Sequence, residues 1–201
     1  MRWTNPRAED VIKNLPTLET DRLILCKMTP NDAEAVFAYA SDPEVTRYVS
    51  WETHRKIGDP ESFLRSVVEG YEKGEAAEWG LVYKGDGRFV GGCGVVRWDL
   101  DHSRAELGYV LSREYWGRGL MPEAVRAMIS FGFGSIDLNR IEARCIDENT
   151  ASARVMEKAG MLYEGTLRQR EFIKGAYRDM KLYAILSSEC LRGARDPRRP
   201  G

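Results

Sequence analysis

Residues 119–134, GLMPEAVRAMISFGFG, constrain everything around them. Their spacing predicts one helix, and only Glu123, Arg126 and Ser130 are clearly polar along it. A helix that is apolar on nearly every side does not lie on a surface; it is sandwiched between other layers. Ahead of it, EWGLVYK (78–84), a GDG turn (85–87), RFVGGCGVVRWD (88–99) and SRAELGYVLS (103–112) read as three consecutive strands, the first two forming a hairpin. Gly91, Gly92 and Gly94 weaken the second of these strands and mark a bulge or a close backbone approach. Behind the helix, RIEARCI (140–146) reads as a strand, NTASARVMEKAG (149–160) as a helix ended by Gly160, and two strands follow over 161–172 and 177–186.

The front of the chain supplies the other layer. DRLILCKM (21–28) alternates as a strand. TPNDAEAVFAYAS (29–41) opens with capping chemistry and carries Ala33, Val36, Phe37 and Ala40 at helical spacing. A short helix over 42–49, a loop over 54–60 and a helix over 60–75 complete it. This order predicts a mixed α/β (α+β) domain around one central sheet of about seven strands, with no internal repeats. Residues 1–17 read as an N-terminal extension, 18–187 as the single domain, and 188–201 as a basic, disordered tail.

A chain of 201 residues is long enough for one well-buried domain and short for two. The formal net charge of -1 removes any global electrostatic case for nucleic acid or an anionic membrane, so no direct nucleic-acid readout is expected. Attraction of the basic tail to RNA is a weaker reading than a solvated tail. No apolar run approaches the roughly 18–20 residues that span a bilayer. The N-terminus MRWTNPRAEDVIKNLP lacks the apolar stretch of a signal peptide, and a cytoplasmic protein is expected. Cys26, Cys93, Cys145 and Cys190 are scattered and form no C-x-x-C pair, which reads as buried, reduced small hydrophobes. The two histidines, His54 and His102, are far apart and follow no nucleophile-elbow motif; neither a metal site nor a Ser-His-Asp triad is expected.

The helix start carries the first chemical signal. In EYWGRGLMPEA (114–124), Gly117 and Gly119 flank Arg118 just where the apolar run begins. A helix leaves its first N–H groups unpaired and its dipole adds positive charge there, while glycines allow a sharp turn and close approach. Together these make a phosphate cradle. Pro122 fits the first turn because its missing N–H has no intrahelical partner there. Many strand-to-helix turns carry Gly-x-Gly for steric reasons alone, so this turn does not establish a ligand by itself. A P-loop is absent, and position 122, a proline, breaks the dinucleotide pattern.

Four stretches in order, LETDRLIL (18–25), ELGYVLSREYWGRGLMPEA (106–124), RIEARCIDENTASARVMEKAGM (140–161) and EGTLRQREFIKGAYRDMKLYAIL (164–186), resemble the GNAT acyltransferase superfamily, most closely its RimJ/RimL-like branch of protein N-terminal acetyltransferases. The resemblance implies a mostly antiparallel twisted sheet flanked by helices, splayed between strands four and five. It implies acetyl-CoA as co-substrate. The pyrophosphate would be held by backbone N–H groups of Trp116, Gly117, Arg118, Gly119, Leu120 and Met121, and the pantetheine arm by Tyr109, Val110 and Leu111. One departure is Glu114, where the family's loop usually carries Gln or Arg. A homodimer is expected from the resemblance alone.

Transfer from a thioester to an amine requires a neutral nitrogen, donors to the developing oxyanion and help for the leaving thiolate. A backbone N–H at Val110 or its neighbour answers the second demand. Asn149 reads as a helix N-cap with Ser152 in the first turn, and the resemblance gives Ser152 the thiolate. Capping and first-turn filling are the plainer reading of that pair. For the base, the resemblance points to Glu171, with Glu106 as alternative and no single base as a third reading. Glu171 would otherwise be a solvated hairpin carboxylate, and Glu106 a partner for Arg97 or Arg144. The implied activity is N-acetylation of a primary amine, either a protein N-terminal α-amine or a small amine such as a polyamine, amino-acid-like toxin or antibiotic. A non-catalytic acetyl-CoA-binding module is the remaining alternative. The acceptor is expected along residues 42–75 and 165–177, which carry Trp51, His54, Arg55, Lys56, Glu72, Arg168 and Arg170.

Overall fold

The computed structural model describes residues 6–193, with side chains from Asp10 to Cys190; most of the expected basic tail, from residue 194 on, lies outside the described residues. Eight strands form one sheet: β1 (Leu18–Glu19), β2 (Leu23–Cys26), β3 (Ala77–Tyr83), β4 (Phe89–Asp99), β5 (Arg104–Leu111), β6 (Arg140–Ile146), β7 (Leu162–Ile173) and β8 (Ala176–Leu186). Their spatial order is β1-β2-β3-β4-β5-β6-β8-β7. Seven match the expected strands. The eighth, β1, is two residues long and too short to show any alternation in the sequence.

All neighbours pair antiparallel except β5 and β6, which run parallel. A parallel pair needs a crossover, and the apolar helix α5 (Leu120–Ser135) provides it. Its Leu120, Met121, Ala124, Val125, Met128 and Ile129 are buried, and Phe131 meets Trp79 of β3 edge-on at 5.4 Å. The helix α6 (Thr150–Lys158) packs against α5 on this face of the sheet, and α1 (Pro6–Lys13) touches α5 and also a helix of the other face, Gly58–Lys73. This is the sandwich that its composition demands.

The other face carries α2 (Ala33–Ala40), α3 (Pro43–Thr46) and α4 (Gly58–Lys73). Val36, Tyr39, Leu64, Val67 and Tyr71 turn inward. The Tyr71 hydroxyl accepts from Met28 N at 3.1 Å and donates to the Glu78 carbonyl at 2.6 Å, fastening α4 to β2 and β3. The segment before Leu18 is packed as well. Ile12 and Leu15 are buried, and Trp79 Nε1 donates to the Pro16 carbonyl at 2.8 Å. At the other end, α7 (Ser187–Gly193) continues β8 where a disordered tail is expected; the Glu189 carboxylate accepts the Leu186 N–H at 2.9 Å and so secures its start.

The sheet opens where the resemblance implies. Pairing between β5 and β6 runs from Arg104↔Arg140 to Leu107↔Ala143 and stops there. From Gly108 onward β5 stays paired with β4 alone, while β6 continues with β8. The bottom of the opening is therefore fixed at Leu107 and Ala143.

Candidate active site

The turn before α5 is built from two left-handed residues. Gly117 and Gly119 each have φ of 75°, a region that costs other residues roughly 1–3 kcal/mol. Gly119 is the N-cap, so Leu120 and Met121 begin the helix with free N–H groups, and Pro122 has none to lose. Arg22 braces the turn from outside: Nη1 donates to the Arg118 carbonyl at 2.9 Å and Nη2 to the Gly119 carbonyl at 3.2 Å. Glu123 in turn holds Arg22, with Oε2 accepting from Nε at 2.7 Å and Oε1 from the backbone N at 2.9 Å. The two carbonyls of the turn are thus occupied by Arg22, while the first N–H groups of the helix have no intrahelical partner, the polarity an anion requires. Arg118 stacks on Tyr115 at 4.8 Å, and Glu114 points to solvent beside Arg88.

The open edge of β5 continues from this turn. Ser112 N donates to the Val90 carbonyl at 2.7 Å, and backbone bonds alternate along an antiparallel ladder. Gly108 and Val110 therefore direct their backbone groups to β4, and Tyr109 and Leu111 direct theirs into the opening. Of the two choices expected, a backbone N–H at Val110 or at its neighbour, the ladder leaves the neighbours as the donors facing the opening, and Val110 lines the cavity beside them. Trp116 Nε1 occupies the Leu111 carbonyl at 2.8 Å, fixing the indole beside the turn.

Across the opening stands the start of α6. The Asn149 side chain accepts the Ser152 N–H at 3.0 Å, the capping bond expected from N-x-x-S. Ser152 Oγ lies 2.8 Å from the Tyr109 hydroxyl, which also donates to the Ser152 carbonyl at 3.1 Å. Burial pushes the Tyr109 hydroxyl well above the usual phenol range. The expected roles use only the backbone of Tyr109; the fold adds its side chain to that of Ser152 as a hydroxyl pair beside a helix N-terminus.

Arg144 draws together the two expected bases. Its Nε and Nη2 hold Glu106 at 2.8 and 2.6 Å, using both carboxylate oxygens, and its Nη1 holds Glu171 Oε1 at 2.8 Å. Its side chain is 9% exposed against 12% for Glu106 and 35% for Glu171, so the Glu106 bond is made almost out of water. Glu106 raises the affinity of Arg144 for its proton. Glu171 reaches this point because three residues of β7, 168–170, oppose the single Asp179 of β8, and the Asp179 carboxylate accepts the Gln169 N–H at 2.7 Å. The arginine thus ties β5, β6 and β7 together: Glu106 has the Arg144 partner that its structural reading in the sequence names, and Glu171 is ion-paired rather than a solvated hairpin carboxylate.

These groups face a cavity of about 630 Å³ that passes through the opening. Tyr109, Cys145, Asn149 and Ser152 line it on the α6 side; Tyr39, Tyr48, Trp51 and His54 line it on the α2 side. Trp51 and His54 fall where the acceptor is expected, whereas Arg55, Lys56, Glu72 and Arg168 do not line the cavity, and Arg170 lines a smaller pocket behind Glu106. His54 Nδ1 is buried without a partner among the described residues, and desolvation lowers the pKa of its ring.

The acetyltransferase (GNAT) domain family matches residues 22–162. The chain belongs to the GNAT acetyltransferases. An N-acetyltransferase of Bacillus licheniformis, p20, is 35% identical over 175 residues, covering 87% of this chain and 98% of its own. The crystal structure of a GNAT acetyltransferase from Bacillus anthracis superposes with a TM-score of 0.77 at 31% identity, covering 86% of this chain and 99% of that one. Two relatives from Escherichia coli carry named acceptors. The ribosomal-protein-serine acetyltransferase is 31% identical over 64% of this chain and 74% of its own; the spermidine N(1)-acetyltransferase is 28% identical over 61% and 66%. The chain is thus an acetyl-CoA-dependent N-acetyltransferase.

Two parts of this GNAT site escape sequence reading. Arg22 and Glu123 are separated by about a hundred residues, and nothing local announces their brace. Glu78 lines the cavity as well, and no alternation along EWGLVYK distinguishes it from a solvent-facing strand residue.

Proposed function

We propose that the acceptor is the α-amino group of a protein N-terminus, acetylated by direct attack on acetyl-CoA. The observation that carries this reading is the two-sided opening at Gly108, with a thioester's binding edge on one face and an aromatic acceptor chamber on the other. Backbone amides of Gly117 to Met121 receive the pyrophosphate. The Tyr109 and Leu111 edge takes the pantetheine amides and supplies an N–H to the thioester oxygen. As the carbon–sulfur bond breaks, the Tyr109–Ser152 pair delivers a proton to the thiolate. An α-amine with a pKa near 8 is partly neutral at physiological pH, whereas a lysine near 10.4 is not. The chamber's walls of Tyr48, Trp51 and Val49 favour an apolar or aromatic group next to that amine over the repeated charges of a polyamine.

The test is acetyl-CoA-dependent thiol release with N-terminal peptides and with small amines, followed by mapping of the acetyl group. Release with peptides and acetylation at the α-nitrogen are expected. Release with polyamines alone overturns the acceptor assignment.

A further inference from the structure

Glu78 is unlike the other acidic residues of the cavity. It sits in the middle of β3, and its carboxylate has no hydrogen-bond or ion-pair partner among the described residues. Its side chain does not stand up from its own strand but lies across β4. A Cβ at Gly94 would fall 1.9 Å from Glu78 Oε2, and one at Gly92 would fall 3.8 Å from Oε1. Of the three glycines that mark a bulge or a close backbone approach in the sequence, Gly92 and Gly94 are the floor on which this carboxylate rests.

Strand register places it relative to the reaction. Glu78 pairs with Gly94, and Gly94 pairs with Gly108, the residue at which the sheet opens. A carboxylate already lying over β4 is one strand spacing, about 5 Å, from β5. That interval fits an amine, or an amine and one water. Around the carboxylate, Tyr39 of α2 and Tyr71 of α4 are the titratable groups on its side of the sheet that feel its charge, Cys93 of β4 feels it from the other side, and none is a cation. Arg97 and His54 line the same cavity, and Arg144 is bound to Glu106 and Glu171. A half-buried carboxylate with no cation of its own, facing a cavity walled by aromatic rings, is a site for an incoming ammonium group.

We propose that Glu78, and neither of the carboxylates bound to Arg144, receives the acceptor's ammonium group and takes its proton. This rests on the acetyl-transfer reading above. The carboxylate accepts one proton from the ammonium, leaving a neutral amine and a carboxylic acid. The nitrogen then bonds to the thioester carbon, the carbon–sulfur bond breaks, the Tyr109–Ser152 pair gives a proton to the thiolate, and the amine's remaining surplus proton refills that pair. The acid returns its proton to water. Burial pushes the Glu78 carboxyl up to about 8, which matches it to an α-amine near 8 and leaves it too weak for a lysine near 10.4. The same group that admits the acceptor therefore selects its class.

The test uses Glu78→Gln, an amide of the same shape over Gly94, and a peptide whose N-terminus is trimethylated. That probe carries a permanent cation and cannot be acetylated, so its binding reports Glu78 without the amine's own titration. In the wild-type protein its affinity is expected to rise with pH through the titration of Glu78; in the variant it is expected to be weak and flat across pH. Peptide acetylation by the variant is expected to fall about 100-fold, while stabilisation by acetyl-CoA persists. Equal probe binding in both proteins, or acetylation by the variant within a few-fold of wild type, overturns the proposal. Should the wild type acetylate no amine yet bind the cation through Glu78, the transfer reading fails and the ammonium site alone survives.

Discussion

Glu78 also leaves a mark on stability. Its folded pKa of about 8 lies above the ordinary carboxylate value of 4.5, so between the two the native protein holds a proton that the unfolded chain has lost. The stability contribution from this group is complete below about pH 4.5 and is lost as pH rises towards 8. Glu78→Gln has no such loss. Its melting temperature relative to wild type should therefore climb from about pH 5 to about pH 8 and then level off. A constant difference across that range would place the titration elsewhere. Residues whose role depends on local backbone were legible in the sequence: Gly117 and Gly119 from the turn they form, Asn149 and Ser152 from capping. Glu78 was not, and of the Arg144 clamp only the pairing with Glu106 was named, as one of two choices, because this chemistry depends on which strands lie side by side. Glu106 and Arg144 are 38 positions apart, and only the parallel pairing of β5 with β6 brings them together.

Among the elements, β5 is the one whose behaviour should change most when substrate binds. Tyr109 and Leu111 direct N–H groups into the opening, and Val110 is committed to Gly92. Acetyl-CoA should slow amide hydrogen exchange at Tyr109 and Leu111 and leave Val110 nearly unaffected; uniform protection along the strand would mean that the arm does not pair with this edge. The strands themselves were readable because alternation and glycine turns bound them, down to β6 over residues 140–146. Two elements were read short for a physical reason. The two residues of β1 leave no period to detect, and α7 begins at the last serine-rich stretch before the basic tail, where composition favours disorder over helix. The extension before residue 18 reads as polar and still sends Ile12 and Leu15 into the core.

In the whole molecule, the all-round apolar character of α5 was the best guide to architecture, since a helix of that kind has to be enclosed and the sheet with its flanking helices encloses it. What it could not show was that the sheet is pierced. Strand alternation puts Tyr109, with Ser152 bonded to it, on one face of the opening and Glu78 on the other, joined by one continuous cavity that Trp51 also lines. Two substrates that enter from opposite faces do not compete for a doorway, and neither has to depart before the other arrives. Steady-state rates measured against both substrates should give intersecting double-reciprocal lines, the pattern of a ternary complex. Parallel lines would mean that the acetyl group rests on the protein between two separate visits, and a molecule open on both sides has no need of that pause.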